Sequence, residues 1–174
     1  MPEISQEAKV FTKCDVKSGF WHICLEESSK FTKLMTPFGR YRWLIMPFGI
    51  APAPEVFQKS LEQALVGLPG IYNIHDAIIV VGEGHTVKEA EENHDRRLIA
   101  LLERCQEKNI VLNRADNKFI LKSTELPYMG HLFTSEGLKA DPAKIIAVEK
   151  MPRPEDKVAV QRFLGVANYL SRFV

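Results

Sequence analysis

The chain has 174 residues, of which 45% are hydrophobic and 26% charged, as is typical of a single soluble globular domain. No stretch approaches the ~18 consecutive apolar residues that a membrane span needs, and the first residues lack the basic flank and apolar run of a signal peptide. The net charge of only +1 excludes a strongly basic nucleic-acid-binding protein, so a nucleic-acid partner would need a local basic patch.

The N-terminal half of the chain predicts a strand and a hairpin followed by a helix. In chain order the predicted elements are a strand over 9–14 that leads into Asp15, a short strand or helix edge over 20–25, a hairpin with strands at 34–36 and 41–46, and a helix over 56–68. Aromatic and β-branched residues around a turn with proline and glycine predict the hairpin. Apolar residues at helical spacing predict the helix.

The C-terminal half alternates hairpins with helices. Its predicted elements are strands at 71–74 and 78–81 around a turn at 75–77, a helix over 87–108, strands at 118–122 and 128–133, a helix that starts at Asp141-Pro142, and a last helix over 155–169. Because hairpins rather than crossovers join the strands, the predicted fold class is α+β, with a mainly antiparallel sheet backed by helices.

Two aspartates lie at the ends of predicted strands. Asp15 follows the first strand, and Asp76 lies at the tip of a hairpin between two apolar strands. Carboxylates on neighbouring strand ends can hold Mg²⁺ against a phosphate, because this ion prefers hard oxygen ligands. The pair therefore predicts metal-dependent chemistry on a phosphate.

Five blocks of sequence, in the same order, resemble the reverse transcriptases of Gypsy-type LTR retrotransposons. The blocks are residues 11–20 (FTKCDVKSGF), 36–58 (TPFGRYRWLIMPFGIAPAPEVFQ), 112–113 (LN), 128–131 (YMGH) and 161–171 (QRFLGVANYLS). The resemblance implies a polymerase palm at 1–135, with part of the fingers in 21–45, and the palm-to-thumb connection with the first thumb helices at 136–174. It also implies a finger segment before Asp15, and the RNase H and integrase portions of a Pol polyprotein after Val174, which we expect this chain to lack.

The resemblance assigns catalytic roles residue by residue. Asp15 and Asp76 are implied to be catalytic and to bind two Mg²⁺ ions, or Mn²⁺, with the backbone carbonyl of Val16 as a further ligand. The family carries another aspartate directly after the second one, and in this register Ala77 stands there. A shift by one residue would instead place His75 and Asp76 on the two adjacent acids. In either register one acid is missing, so metal binding is expected to be weakened, since imidazole is a poor ligand for Mg²⁺.

Other residues are assigned to the substrates by the same resemblance. The implied nucleotide-binding residues are Phe20, Phe48 and Gly49, and the implied primer grip is Met129, Gly130 and His131. Phe20 would pack under the deoxyribose and reject a 2′-hydroxyl. Scattered surface lysines are common, but a basic surface for template phosphates could be formed by Lys13, Lys17, Lys30, Lys33, Arg40 and Arg42.

Three functions stay open at this point. The first is an RNA-directed DNA polymerase that extends a primer on an RNA or DNA template with deoxynucleoside triphosphates (dNTPs), acting inside the cell, in the cytoplasm or in a virus-like particle. Because an acid and the finger segment are missing, we expect this nucleotidyltransferase activity to be absent or impaired. The alternatives are a non-catalytic nucleic-acid-binding module and an inert retroelement remnant.

Overall fold

The computed structural model describes residues 5, 7–115, 118–128, 131–140 and 142–171. Its strands are β1 (Ala8–Asp15), β2 (Lys33–Thr36), β3 (Gly39–Arg42), β4 (Ile71–Ile74), β5 (Ala77–Glu83), β6 (Phe119–Ser123), β7 (Glu125–Tyr128), β8 (His131–Thr134) and β9 (Gly137–Ala140). Its α-helices are α1 (Ala53–Leu65), α2 (Val87–Glu107), α3 (Pro142–Glu149) and α4 (Lys157–Leu170). Among the described helices, none is long and apolar enough to cross a membrane.

A four-stranded antiparallel sheet, in the order β4-β5-β1-β6, forms the centre of the fold. Side chains alternate between the two faces of a strand. Ile78 and Val80 of β5 accordingly join a core cluster with α1 and α2, whereas Ile79 and Val81 join a second cluster with β7 and β8. The predicted α+β class, with a mainly antiparallel sheet backed by helices, is confirmed.

The long helix α2 is fixed by an N-terminal cap and by a buried histidine. The Thr86 hydroxyl accepts the backbone N–H of Glu89, and the Glu89 carboxylate accepts the backbone N–H of Thr86. His94 is fully buried, with Nε2 2.8 Å from the Thr12 hydroxyl of β1 and Nδ1 3.2 Å from the Asp95 carboxylate. Because a carboxylate only accepts, Nδ1 carries the proton and the Thr12 hydroxyl donates to Nε2. The helix thereby holds β1, the strand that ends in Asp15.

The structure decides between the two alternatives for the segment 20–25 and shortens the second hairpin strand. The segment 20–25, predicted as a short strand or a helix edge, begins as a 3₁₀ helix, Gly19–His22. The second hairpin strand ends at Arg42, because the chain then leaves the ribbon: Trp43 N–H donates to the Thr32 carbonyl and Met46 N–H to the Ile23 carbonyl. The stretch 43–46 thus crosses the loops before β2 and adds no length to the hairpin.

Two C-terminal segments differ from the prediction. The single strand predicted over 128–133 belongs to two antiparallel strands, because β7 ends at Tyr128 and β8 begins at His131. A further strand, β9, was not predicted; it pairs with β8 and completes a three-stranded sheet, β7-β8-β9. The predicted helix cap at Asp141 lies outside the described residues, and α3 begins at Pro142.

Candidate active site

The two predicted catalytic aspartates lie at one end of the central sheet. Asp15 ends β1 and pairs with Ala77, the first residue of β5. Asp76 precedes Ala77 in the turn between β4 and β5, and its backbone carbonyl accepts the N–H of Val16 at 2.6 Å. The backbone therefore brings Asp15, Val16 and Asp76 together.

Gln58, to which the sequence analysis assigned no role, holds the turn that carries Asp76. His75 adopts a left-handed conformation, with φ of 54°, and its backbone N–H donates to the Gln58 side-chain oxygen at 2.5 Å. The amide nitrogen of Gln58 also lies 3.5 Å from the Asn73 carbonyl. Gln58 is the last residue of the sequence block 36–58, and its membership of that block is the one sequence feature that could have identified it. It anchors the turn to α1.

Asp15 is a buried carboxylate between two lysines. It is 3% exposed, and its Oδ2 accepts a hydrogen bond from Lys118 Nζ at 2.7 Å. Lys13 Nζ lies 3.5 Å from Oδ1, which accepts no hydrogen bond among the described residues. The bond to Asp15 and its negative charge raise the pKa of Lys118. Lys13, one of the six residues that could have formed a basic surface for template phosphates, is largely buried beside Asp15.

Tyr128 connects the second core cluster to the same turn. Its hydroxyl donates to the Ile74 carbonyl at 3.3 Å. Burial, together with the negative charges of Asp15 and Asp76, raises the pKa of Tyr128 to about 12. The phenol therefore stays protonated at neutral pH and keeps β7 bonded to the end of β4.

Ala77 presents a methyl group where the resemblance implies a carboxylate. It is 7% exposed and packs in the second cluster with Phe11, Ile79 and Tyr128. Directly paired residues of antiparallel strands point to the same face, so the side chains of Ala77 and Asp15 are neighbours. An acid at Ala77 would stand beside Asp15.

A cavity of about 590 Å³ opens beside Asp76. Phe20 and Phe48 line it, with ring centroids 5.3 Å apart, and Phe57 supports Phe20 edge-on at 5.8 Å. A Cβ on Gly19 would overlap the Phe57 ring, so glycine permits this close approach. The predicted nucleotide-binding aromatic residues therefore share one cavity with Asp76.

The other predicted site residues are placed less completely. Gly49 follows Phe48 with φ of 87°, a conformation that favours glycine, but it does not line the cavity. Of the predicted primer grip, Met129 and Gly130 lie outside the described residues. His131 is buried at the start of β8, where it pairs with Tyr128.

The donor set suits a hard divalent cation only in part. Asp15 and Asp76 offer carboxylate oxygens, and the buried Oδ1 of Asp15 accepts no hydrogen bond in the described part of the chain. Such oxygens are the ligands that Mg²⁺ prefers. Within the described ranges, however, no group of three or more histidine, cysteine, aspartate or glutamate side chains could hold a metal ion. Two carboxylates, those of Asp15 and Asp76, are thus the acidic donors that this end of the sheet offers to a cation.

Several polyproteins resemble this chain. Over 170 residues it is 33% identical to the retrovirus-related Pol polyprotein from transposon opus of Drosophila melanogaster, covering 96% of the chain and 16% of that protein. The Pol polyprotein from transposon gypsy of the same organism is 30% identical over 171 residues, covering 97% and 16%. The enzymatic polyprotein of cauliflower mosaic virus (strain NY8153) is 30% identical over 169 residues, covering 95% and 24%. The chain spans less than a quarter of these relatives.

Solved structures and a family model agree with that similarity. A foamy viral protease–reverse transcriptase in complex with double-stranded DNA superposes with a TM-score of 0.78 at 22% identity, covering 94% of this chain and 28% of the other. The complex with an RNA/DNA hybrid gives 0.74 at 22% identity, covering 93% and 21%. The family model for reverse transcriptase (RNA-dependent DNA polymerase) matches residues 2–133. This chain therefore belongs to the reverse transcriptase family and has its palm fold, and the Gypsy-type resemblance is confirmed.

Proposed function

We propose that this chain is the palm of an RNA-directed DNA polymerase that binds a template–primer duplex and adds nucleotides slowly or not at all. The palm would span 1–135, with part of the fingers in 21–45, and 136–174 would lead into the thumb. One observation carries the proposal: Asp15 pairs with Ala77 while Val16 N–H donates to the Asp76 carbonyl. Two acids therefore lie at this sheet end, and the proposed third position, Ala77, supplies only a methyl group.

Asp15, Asp76 and the Val16 carbonyl would hold the divalent cation, Mg²⁺ or Mn²⁺. When bound, such ions stabilise the attacking and leaving oxygens of a phosphoryl transfer. The protein would position the Asp76 ligand, because Gln58 anchors the β4–β5 turn and the Tyr128 hydroxyl bonds β7 to the end of β4 next to that turn. With no acid at Ala77 one oxygen ligand is lost, and a displacement of about 1 Å in such a site costs roughly 100-fold in rate.

The cavity beside Asp76 is proposed to receive the dNTP. Phe20 is held between Phe48 and Phe57, so its ring presents a fixed apolar surface next to the acid. A sugar that carries an extra 2′-hydroxyl would meet this ring without a hydrogen-bond partner, at the cost of a desolvated polar group. The arrangement supports a preference for deoxyribonucleotides.

The β2–β3 ribbon offers a basic surface for the nucleic acid. The cross-strand pairs Lys33–Arg42 and Met35–Arg40 place three cations on one exposed face. Among the described residues, no ion pair involves these three cations. Like charges directly opposite each other destabilise a ribbon, and a polyanion would offset that repulsion. The foamy viral relatives were solved with DNA and with an RNA/DNA hybrid, which agrees with this use.

A second candidate is a binding module without chemistry, and Ala77 is the observation that favours it. The same ribbon would serve this role, and the loss of an acid would then carry no penalty. The two candidates differ in metal dependence, because only a polymerase needs a cation between Asp15 and Asp76.

A Mn²⁺ titration followed by electron paramagnetic resonance tests the metal site. We expect weak binding that Asp15→Asn abolishes and that Glu103→Gln, which removes an exposed acid of α2, leaves unchanged. Binding to an RNA/DNA hybrid, measured against salt, should survive Asp15→Asn in both candidates. Mn²⁺ binding that is equal in the wild type and in Asp15→Asn would remove the polymerase proposal and leave the binding module.

A further inference from the structure

We infer that Lys118 is an internal counter-cation that occupies the metal-binding carboxylate of Asp15 and must move away before a divalent cation can bind. The inference rests on the metal site proposed above and concerns how that site is controlled. It turns the site into one with two states, closed by a lysine or open to metal.

The geometry of the Asp15 carboxylate carries the first step. Lys118 Nζ lies 2.7 Å from Oδ2, the distance of a short charge-assisted hydrogen bond. The carboxylate is 4% exposed, whereas the Lys118 side chain is 43% exposed. The ammonium group therefore covers the carboxylate from the solvent side, from which a hydrated ion has to approach.

Hydrogen bonds fix the backbone of Lys118 beside Asp15, whereas its exposed side chain can rotate away. Asp15 N–H donates to the Lys118 carbonyl at 3.1 Å, and Lys118 N–H donates to the Ala115 carbonyl at 2.8 Å. The next residue, Phe119, pairs with Cys14 in the ladder between β1 and β6. The Lys118 backbone is thus part of the sheet edge, and only rotation of its exposed side chain is needed to uncover Oδ2.

The charge balance around Asp15 explains why this carboxylate binds the Lys118 ammonium group rather than a divalent cation in this chain. Lys13 and Lys118 place two positive charges around Asp15, and Asp15 with Asp76 supplies two negative charges. With alanine at position 77 these charges sum to zero, so a dication meets a site that is already neutralised. A third carboxylate would leave a net negative charge beside Asp15 and favour the metal over the ammonium group. The loss of the acid and the closure by Lys118 therefore act together.

Removal of the lysine tests the inference. We expect Lys118→Met to tighten Mn²⁺ binding about 10- to 100-fold, the factor that corresponds to one hydrogen bond between charged groups. Lys118→Arg, which restores a cation, should return the affinity towards that of the wild type. Lys122→Met is the matched control, because Lys122 lies on β6, four residues after Lys118, is 40% exposed and pairs with Asp95 at 2.9 Å, away from the site.

Electron paramagnetic resonance of Mn²⁺ gives the affinities, and thermal unfolding gives a second readout. In metal-free buffer Lys118→Met should melt earlier than the wild type, because a buried carboxylate has lost its partner, and Mn²⁺ should raise its melting temperature more than that of the wild type. Equal Mn²⁺ affinity in Lys118→Met and the wild type, with binding still lost in Asp15→Asn, would overturn the inference but keep the metal site. Absence of binding in Lys118→Met and in Ala77→Asp alike would overturn both.

Discussion

Restoration of the missing acid is the most informative substitution at the site. Ala77→Asp would place a second carboxylate opposite Asp15, where paired Cβ atoms of antiparallel strands lie roughly 5 Å apart. Two like charges at about 5 Å repel by about 3 kcal/mol at an effective dielectric constant of about 20. Lys13 and Lys118 offset part of this repulsion, so the figure is an upper bound on the part of the stability loss that is due to charge repulsion without metal.

Thermal unfolding with and without Mn²⁺ measures that loss and its recovery. For a chain of this size, about 3 kcal/mol corresponds to a fall of roughly 6–12 °C in the melting temperature. A cation at 100 times its dissociation constant returns about 2.7 kcal/mol, because it binds only the folded state. The variant should therefore be markedly less stable than the wild type in metal-free buffer and close to it in excess Mn²⁺.

Ala77→Asn is the matched control, because asparagine has nearly the volume of aspartate but no charge. It carries the cost of placing a polar side chain at a 7% exposed position, and Mn²⁺ should not relieve that cost. If the aspartate and asparagine variants melt at the same temperature in both buffers, then the carboxylate at position 77 does not face Asp15 and the reasoning fails.

Three further predictions concern the sheet, the buried histidine and the basic ribbon. Gly82→Ala should cost about 1–3 kcal/mol in urea denaturation, because its Cβ would come within 2.6 Å of the Cβ of His94 and overlap the backbone of α2. Burial lowers the pKa of His94 below its ordinary 6.5, so the unfolded chain binds a proton more readily; stability should be complete above pH 6.5, fall as the pH drops below it, and fall less in His94→Gln. Arg40→Gln combined with Arg42→Gln should reduce the slope of log affinity for an RNA/DNA hybrid against log salt by about 2.

A different result would contradict each of these three predictions. Gly165→Ala on α4 meets no atom within 4 Å and should not destabilise the protein, so an equal effect at Gly82 and Gly165 would refute the clash. An unchanged pH profile in His94→Gln would show that another group titrates. Lys59→Gln, which removes an exposed lysine of α1, is the control for the ribbon. If the double substitution changes the salt slope no more than this control does, the ribbon is not part of the nucleic-acid surface.

The sequence was most informative where the physics is local. Apolar runs on both sides of Asp76 predicted the β4–β5 hairpin, and helical spacing predicted α2 nearly to its ends. The missed strand β9 follows a turn at Ser135-Glu136 and begins at Gly137, which has φ of 115°. That glycine was a local signal for a further hairpin and could have been used.

Contacts between distant residues could not be predicted in this way. The Lys118–Asp15 ion pair joins residues 103 positions apart, and the Tyr128–Ile74 hydrogen bond joins residues 54 apart. Periodicity and composition carry no information on such pairs, because they depend on which strand lies beside which. The strand order β4-β5-β1-β6 brings Lys118, which precedes β6, next to Asp15 at the end of β1. Nothing in the sequence around Lys118 indicates this pairing.

Primer extension on an RNA template, with Mg²⁺ or Mn²⁺, tests the central claim most directly. The wild-type chain should incorporate nucleotides at or near background, whereas Ala77→Asp should incorporate up to about 100-fold more, and Asp15→Asn in that variant should abolish the gain. Robust incorporation by the unchanged chain that is lost in Asp15→Asn would contradict the claim that Ala77 impairs the enzyme. Incorporation that is no greater in Ala77→Asp would contradict the assignment of Ala77 as the missing acid.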